Sequence, residues 1–480
     1  MLSPDTIEDS IARALVLDLA FLGKGGDRRH APFSLTPSSI TATEYQSLIG
    51  GAIVLGRLTQ ALAADSQLME ELHAPLATSD AFFAELLSIQ RELHGGDGPV
   101  RVPLLLQRSD FMLDQESGPR LVECNSIAAG MAPFGEQITR LHEQLRTHWP
   151  ADFSRFADRH SGSSIGNKAI SQFALAVASA AQMMRDEHAD LGTATFLMVV
   201  QEDEDNIFDQ RLLEHQLEAM GIHTIRRTFR QLHEQLYSGP NQRLMLRGSG
   251  AIDLVYLRAG YRYCDYLAPD LDEQRCCDAL RATRLFIERH RVVVNATVAQ
   301  QLATSKRTQQ YLSQTSGETL SFTGLSLAES NSAKQFLVEM RSIDDNTLDF
   351  LGANGGPSQW VLKNQGEGGG HCVFDEDIVP QLRSLAKADY AAWVLMRRLR
   401  PKPRGNKTVV IRDGEAQVVG DLVSEIGFFT AHMGTIGGVS LEGKSPAYLG
   451  YLVRSKPGDV TEGGVHSGSG VLDSLVYRDE

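Results

Sequence analysis

The sequence has few of the features that mark disulfide-stapled, zinc-bound or nucleic-acid-binding proteins. It holds five cysteines in 480 residues, an odd number without a CxxC pair, which argues against a disulfide framework and a structural zinc site. It also lacks an HExxH sequence. Its 46 Lys and Arg are outnumbered by 60 Asp and Glu, for a formal net charge of −14. This balance argues against a nucleic-acid or membrane partner held by general electrostatics.

Long apolar runs are also missing. The most apolar stretches, such as Thr195–Val200, are far shorter than the ~18 residues that suggest a membrane span. The polar, acidic start lacks the basic and apolar regions of a signal peptide. We therefore expect a reduced, cytoplasmic protein. A hydrophobic share of 42% and a charged share of 22% are typical of globular proteins, and the length suggests about three domains.

The first predicted domain, residues 1–190, is mostly helical before it becomes a hairpin. Helices are predicted over Ile40–Ala63, which opens with residues that can cap a helix, and over Asp80–His94, where apolar residues recur at helical spacing. Alternation then predicts strands over Arg108–Leu113 and Arg120–Asn125, joined by the turn at Gln115–Pro119.

The second predicted domain, residues 191–300, shows alternating strands and helices. The expected elements are strands Thr195–Val200, His223–Arg227 and Leu254–Leu257, with helices over Asp209–Met220 and around Phe229–Tyr237. This order suggests a small parallel sheet. Because ligands bind at the carboxyl ends of such strands, we single out Glu204, Asn206 and Arg258.

The third predicted domain, residues 301–480, carries Gly-rich segments and further strands. The expected elements are strand Gln359–Lys363, helix Ile378–Ala386, strand Trp393–Leu399, and a hairpin that pairs Thr408–Arg412 with Ala416–Glu425 across Asp413-Gly414.

Two segments suggest phosphate and metal chemistry. Lys363 ends a strand and precedes the glycine run Gly366–Gly370, and glycines let backbone N–H groups approach an anion while the lysine supplies a charge. Glu367 within the run suits a Mg²⁺ ligand. Glu123 and Asn125 share one face of a strand and also suit a hard cation. A solvent-facing turn and a solvated strand face are the plain alternatives.

A third segment imitates a phosphate-binding loop. Residues 438–445, GVSLEGKS, match G-x-x-x-x-G-K-[ST]. The mechanism of that loop requires a buried strand before it and a parallel sheet after it. Ala431–Gly437 makes a poor strand, and only 35 residues follow the motif, so we interpret it as an ordinary loop.

Taken together, the segments resemble the eukaryotic-type glutathione synthetases of the ATP-grasp superfamily. The resemblance runs from about Leu104 to the end and is carried by nine blocks in order: LLLQRSDFML (104–113), LVECNSIAAG (121–130), QEDEDNIFDQR (201–211), GIHTIRRTF (221–229), VYLRAGY (255–261), QLATSKRTQQ (301–310), VLKNQGEGGG (361–370), VSEIGFF (423–429) and VRSKPGDVTEGGV (453–465). It implies an α/β (α+β) ATP-grasp fold with an inserted small parallel-sheet substrate-binding domain, the use of ATP and Mg²⁺, and a homodimer.

The resemblance also implies roles for single residues. The Mg²⁺ ligands would be Glu123, Asn125 and Glu367. ATP would contact Glu123, Lys306, Lys363, Gly368, Gly369, Gly370, Glu425 and Lys456, with the adenine at the hinge Met396, Arg397, Arg398 and Leu399. The γ-glutamylcysteine donor would be held by Arg108, Glu204, Asn206, Gln210, Arg258 and Tyr261, and the glycine acceptor by Arg454, Val465 and His466. Arg108, Lys363 and Arg454 are the expected catalytic residues.

The family activity would proceed through an acyl phosphate on the donor carboxylate, which the acceptor amine then attacks. Two departures from the family leave the substrates open. Ala128-Ala129-Gly130 replaces a Ser-x-Ser pair, and His466-Ser467 replaces an Ala-Ala pair whose variation accompanies a changed acceptor. A ligase with another acceptor or donor is therefore the first alternative, and a catalytically silent nucleotide-binding protein is the second.

Overall fold

The helices and strands were assigned in a computed structural model, which describes residues 2–95, 101–271, 277–321, 323–366, 372–433, 441, 443, 445–461, 463–466 and 468–478. The helices in these ranges are α1 (Pro4–Val16), α2 (Ala42–Ala64), α3 (Ser66–Ala77), α4 (Ala81–His94), α5 (Ala132–His148), α6 (Pro150–Phe156), α7 (Ala169–Glu187), α8 (Ile207–Ala219), α9 (Phe229–Leu232), α10 (Asp278–Glu288), α11 (Val298–Ala303), α12 (Lys306–Gln314), α13 (Gly317–Ser321), α14 (Leu327–Phe336), α15 (Thr347–Ala353) and α16 (Ile378–Ser384).

The strands are short except for β5, β21 and β22. In chain order they are β1 (Ala20–Leu22), β2 (Arg28–His30), β3 (Phe33–Ser34), β4 (Ser38–Ile40), β5 (Val102–Asp114), β6 (Gly118–Asn125), β7 (Ser161–Ser164), β8 (Thr195–Val200), β9 (His223–Thr228), β10 (Leu236–Ser238), β11 (Leu244–Leu246), β12 (Gly250–Ala251), β13 (Leu254–Leu257), β14 (Val293–Asn295), β15 (Met340–Ser342), β16 (Trp360–Asn364), β17 (Cys372–Phe374), β18 (Trp393–Arg397), β19 (Thr408–Arg412), β20 (Glu415–Val419), β21 (Leu422–Met433), β22 (Tyr448–Pro457), β23 (Val471–Asp473) and β24 (Leu475–Arg478).

One twelve-stranded sheet forms the centre of the molecule, in the order β20-β19-β3-β23-β22-β21-β5-β14-β13-β8-β9, with β6 paired to β5. Its two halves differ in strand direction. The half from β20 to β5 is mainly antiparallel, whereas β14, β13, β8 and β9 follow β5 as parallel strands. The predicted parallel strands are confirmed, but they continue the main sheet instead of standing alone. The predicted domain boundaries near 190 and 300 stay predictions.

A separate four-stranded antiparallel sheet, β15-β18-β16-β17, lies opposite β5, β6, β21 and β22 across the main cavity. Its strands are short and apolar, and Trp360, Leu362 and Leu395 are buried in its own core. Mixed helix and sheet in this arrangement confirms the predicted fold class. The helix predicted over Ile40–Ala63 is α2, which begins two residues later because Thr41 and Glu44 form a capping box.

Two predicted elements are wrong in extent. The helix expected around Phe229–Tyr237 ends at Leu232, because Glu234 has φ +62 and the chain then pairs as β10 with β11. The strand expected over Ala416–Glu425 ends at Val419, since Asp421 has φ +55 and redirects the chain. Beyond this turn, β21 pairs with β5 and β22 rather than with β19.

Within the described residues, α2 is the one helix long and apolar enough to cross a membrane by length and composition. Of its most apolar window, 44% is buried inside the fold. Its residues Leu48, Leu55 and Leu62 belong to the apolar core beside β21 and β5, as in the core helix of a folded domain.

Candidate active site

A cavity of about 550 Å³ lies between the four-stranded sheet and the main sheet. This volume falls within the range of small-molecule sites, about 300–1,000 Å³. It is lined by thirteen of the residues predicted from the sequence: Arg108, Glu123, Asn125, Tyr261, Lys306, Lys363, Met396, Arg397, Arg398, Leu399, Glu425, Arg454 and Lys456. The fold therefore collects residues that lie up to 348 positions apart in the chain into one place.

Strand alternation and one bulge aim the side chains of β5 and β6 at the cavity. Arg108 faces it from β5, and Asn125 pairs with Arg108 across the two strands. The register then shifts, so that Asp110 pairs with Glu123 and Phe111 with Leu121, which leaves Val122 as the extra residue of a β-bulge. The carbonyl of Val122 accepts hydrogen bonds from Lys363 at 3.5 Å and from Gln309 at 3.3 Å.

Glu123 is held in its ionised form. Burial would raise the pKa of this carboxyl, but attraction to Lys306, Lys363, Arg454 and Arg108 outweighs burial and lowers the pKa to about 2. Asn125 donates its amide N–H to Asp110 at 3.1 Å, which leaves its side-chain oxygen to accept. A carboxylate and an amide oxygen on one strand face fit a hard divalent cation. Among the described residues, no group of three His, Cys, Asp or Glu could hold a metal.

The lysines come from three different elements. Lys306 is the first residue of α12 and donates to the carbonyl of Gly366 at 3.0 Å. Lys363 lies on β16, and both lysines are only 7% exposed. Lys456, on β22, donates to the carbonyl of Thr461 at 2.6 Å. Lys306 and Lys363 lie near the ionised Glu123, and three lysines that converge on one cavity are suited to bind a polyanionic ligand.

Glu425 and Arg454 form an ion pair across β21 and β22. Burial raises the pKa of Glu425, and the neighbouring Asp110 and Glu123 raise it further, against the lowering effect of Arg454. Burial would lower the pKa of Arg454, but these carboxylates raise it instead. Arg454 also donates to Asp110 at 3.1 Å.

The hinge residues close one side of the cavity. Met396 is buried on β18, while Arg397 is exposed and lies over the Trp360 ring at 5.4 Å. Arg398 pairs with Asp375 and lies over the Phe374 ring at 5.7 Å. Each arginine therefore keeps a partner in the four-stranded lobe.

Four predicted donor residues lie beside the cavity and do not line it. Glu204 accepts from the backbone N–H of Asn206 at 3.2 Å, at the carboxyl end of β8. Gln210 and Arg258 border a separate small void. A Cβ at Gly130 would overlap the Arg258 guanidinium, so the loss of the side chain at position 130 makes room for this arginine.

Two of the three predicted acceptor residues, Val465 and His466, lie in the loop after β22, whereas Arg454 lies on β22 itself. Val465 is buried, and His466 pairs with Asp205 at 2.5 Å and contacts the Phe21 ring edge-on. Gly463 and Gly464 line the cavity; Val465 and His466 do not. The predictions at Glu367, Gly368, Gly369, Gly370 and Ser467, and most of the loop at 438–445, lie outside the described residues.

Sequence reasoning missed Asp110 and the bulge at Val122. Asp110 could have been found from alternation alone, since it lies two residues after Arg108 on one strand face. The bulge has no signal in the sequence, because it depends on how β6 pairs with β5.

The sequence model of the eukaryotic glutathione synthase ATP-binding domain matches residues 3–477. The chain is 27% identical over 452 residues to a human glutathione synthetase, covering 93% of this chain and 90% of that protein. It is 28% identical over 472 residues to a chloroplastic glutathione synthetase of Solanum lycopersicum, covering 94% and 78%. An apo glutathione synthetase-like effector from Globodera pallida shares the fold, with a TM-score of 0.73, 19% identity and coverage of 99% and 98%.

Proposed function

Since the chain belongs to the eukaryotic glutathione synthase family and is an ATP-dependent ligase, we propose that it joins glycine to the C-terminal carboxylate of γ-glutamylcysteine. ATP would phosphorylate that carboxylate to an acyl phosphate, and the amine would then displace phosphate and form the peptide bond. The observation that carries the proposal is the cation-rich cavity between the two sheets, with a carboxylate kept ionised inside it.

The residues suit a reaction that depends on positioning and charge neutralisation. Lys306, Lys363 and Lys456 would neutralise the phosphates of ATP, and the hinge Met396–Leu399 would hold the adenine. Arg108 would stabilise the transferring group, and Arg454 would orient the acceptor. Glu123 and Asn125, with Glu367, would hold Mg²⁺, which would offset the negative charge of the phosphates. We further propose a cytoplasmic homodimer.

The test is phosphate release from ATP by the purified protein with γ-glutamylcysteine and a panel of amines, with products identified by mass spectrometry. Glycine-dependent release with tripeptide formation is the expected result. Lys363→Met should abolish release, whereas Lys402→Met, an exposed lysine outside the cavity lining, should keep it. Absence of phosphate release with every amine of the panel would contradict the proposal.

A ligase with a different acceptor is the second candidate. His466 pairs with Asp205 and contacts the ring of Phe21. An alanine at this position could make neither contact, so the loop is held differently from a loop with two alanines. Replacing His466 and Ser467 with alanines should change the ratio of kcat/KM between glycine and longer amines such as β-alanine. An unchanged ratio would remove this loop from acceptor choice.

A further inference from the structure

Asp110 lies at the centre of the predicted catalytic groups, although no role follows for it from the reaction itself. It is 1% exposed and occupies the middle of β5. It pairs with Glu123 on β6 and with Gly427 on β21. Like charges directly opposite one another on two strands destabilise a sheet. The repulsion between Asp110 and Glu123 must therefore be offset by favourable contacts of the Asp110 carboxylate.

Four N–H donors converge on this carboxylate. Arg108 donates Nε to Oδ1 at 2.7 Å and Nη2 to Oδ2 at 2.8 Å, a bidentate pair. Oδ2 also accepts from Asn125 Nδ2 at 3.1 Å and from Arg454 Nη2 at 3.1 Å. Because N–H donors occupy both oxygens, Asp110 is poorly suited to bind a cation and well suited to orient its partners.

The surrounding backbone keeps this arrangement in place. A Cβ at Gly427 would lie 2.6 Å from Asp110 Oδ1 and 2.8 Å from Arg108 Cδ, so the glycine leaves the space in which the arginine folds across the sheet. The remaining nitrogen of the guanidinium, Nη1, donates to the carbonyl of Gly130 at 3.2 Å. Arg108 is thereby fixed at all three of its nitrogens.

We propose that Asp110 is a positioning residue that holds Arg108 and Arg454 at a fixed separation and fixes the amide orientation of Asn125. The contacts of Asp110 are independent of the proposed function, whereas the expected effect on the reaction rate rests on it. The Asp110 carboxylate fixes the distance between two arginines. Arg108 is predicted to stabilise the transferring phosphoryl group, and Arg454 is predicted to orient the acceptor. A displacement of about 1 Å in such a group can cost about 10²-fold in rate.

Asp110→Glu separates positioning from a structural role. The longer side chain keeps the negative charge but displaces the carboxylate, and with it the two arginines, by about the length of one methylene group relative to the cavity. We expect a folded protein with a lowered melting temperature, because one methylene group is added to a closely packed site. We also expect a fall of about 10²-fold in kcat and a KM for ATP within about threefold. Near-normal kcat in a folded Asp110→Glu protein would overturn the proposal.

The matched control is Asp253, a buried carboxylate that pairs with Arg185 and Arg243 directly before β13 and does not line the cavity. Asp253→Glu should change stability and leave kcat within about threefold. A second comparison uses Arg454→Lys. If Asp110 acts through Arg454, the losses of Asp110→Glu and Arg454→Lys should be strongly non-additive in the double variant; additive losses would count against the proposal.

A labelling experiment tests the positioning even if the ligase reaction is not observed. Phenylglyoxal modifies accessible arginines, and mass spectrometry locates the modified sites. Asp110→Asn should increase the modification rate of Arg454, whose side chain is 20% exposed, by about tenfold, whereas Asp253→Asn should leave it unchanged. Equal rates in all three proteins would overturn the positioning role, and inactivity of the unchanged protein would instead contradict the proposed function.

Discussion

Gly427→Ala perturbs the candidate site with one methyl group. Gly427 lies in β21 between β5 and β22, and its missing Cβ would lie 2.6 Å from Asp110 Oδ1, 2.8 Å from Arg108 Cδ and 3.0 Å from Arg108 Cγ. Contacts below 3.0 Å cannot persist, so the Arg108 side chain has to leave its bidentate position. Overpacking of this kind costs about 1–3 kcal/mol of stability, and a shift of about 1 Å in Arg108 should lower kcat/KM by about 10²-fold.

The assay combines thermal unfolding with phosphate release in the presence of ATP and γ-glutamylcysteine. The control is Gly50→Ala in the exposed part of α2, where a Cβ meets nothing within 4 Å. That change should raise stability by about 1 kcal/mol and leave kcat/KM unaltered. A Gly427→Ala protein with unchanged kcat/KM would refute the reasoning, because it would show that Arg108 tolerates displacement.

Three further predictions concern buried groups to which the account gives no role in catalysis. Burial lowers the pKa of His73 from 6.5 to about 4. About 3 kcal/mol of folding free energy should therefore be lost as the pH falls from 6.5 to 4, because the buried histidine then has to take up a proton. His73→Gln should flatten this part of the plot of unfolding free energy against pH, whereas His215→Gln, at an exposed histidine, should not. Burial raises the pKa of Cys124 to about 12, so iodoacetamide should label exposed Cys264 and spare Cys124 in the native protein, as peptide mapping would show. Phe428→Ala, which empties the space among buried aromatic rings, should cost about 3–5 kcal/mol in urea unfolding; a loss below 1 kcal/mol would contradict this packing.

The sequence was a good guide where the signal was local. The strands Thr195–Val200 and Leu254–Leu257 follow from short apolar runs, and the hairpin of β5 and β6 follows from alternation on both sides of a turn. Thirteen of the site residues, most of them predicted through the family resemblance, line one cavity, and the majority lie on strands or at a helix start.

Long-range pairing was not predictable in this way. That β14 joins β5 through Val102 and Pro103, and so unites the parallel and antiparallel strands, depends on residues about 190 positions apart. The bulge at Val122 likewise arises from the register of two strands. The ends of predicted elements failed where single residues with positive φ, Glu234 and Asp421, redirect the chain, because a non-glycine residue gives little sign of that conformation.

The placement of the predicted donor residues shows a second limit of prediction from sequence motifs. Gln210 and Arg258 belong to the resemblance, yet they border a small void beside the main cavity. Their environment depends on Gly130, where the absent side chain makes room for the arginine. A motif identifies such residues one by one, whereas the space between them is set by packing.

The most direct test of the account is the fate of the oxygen atoms of the donor carboxylate. γ-Glutamylcysteine labelled with ¹⁸O in its C-terminal carboxylate is incubated with ATP, Mg²⁺ and glycine, and the released phosphate is analysed by mass spectrometry. If the carboxylate is phosphorylated before the amine attacks, one ¹⁸O atom leaves with each phosphate as the tripeptide forms. Tripeptide formation with unlabelled phosphate would contradict the acyl phosphate route.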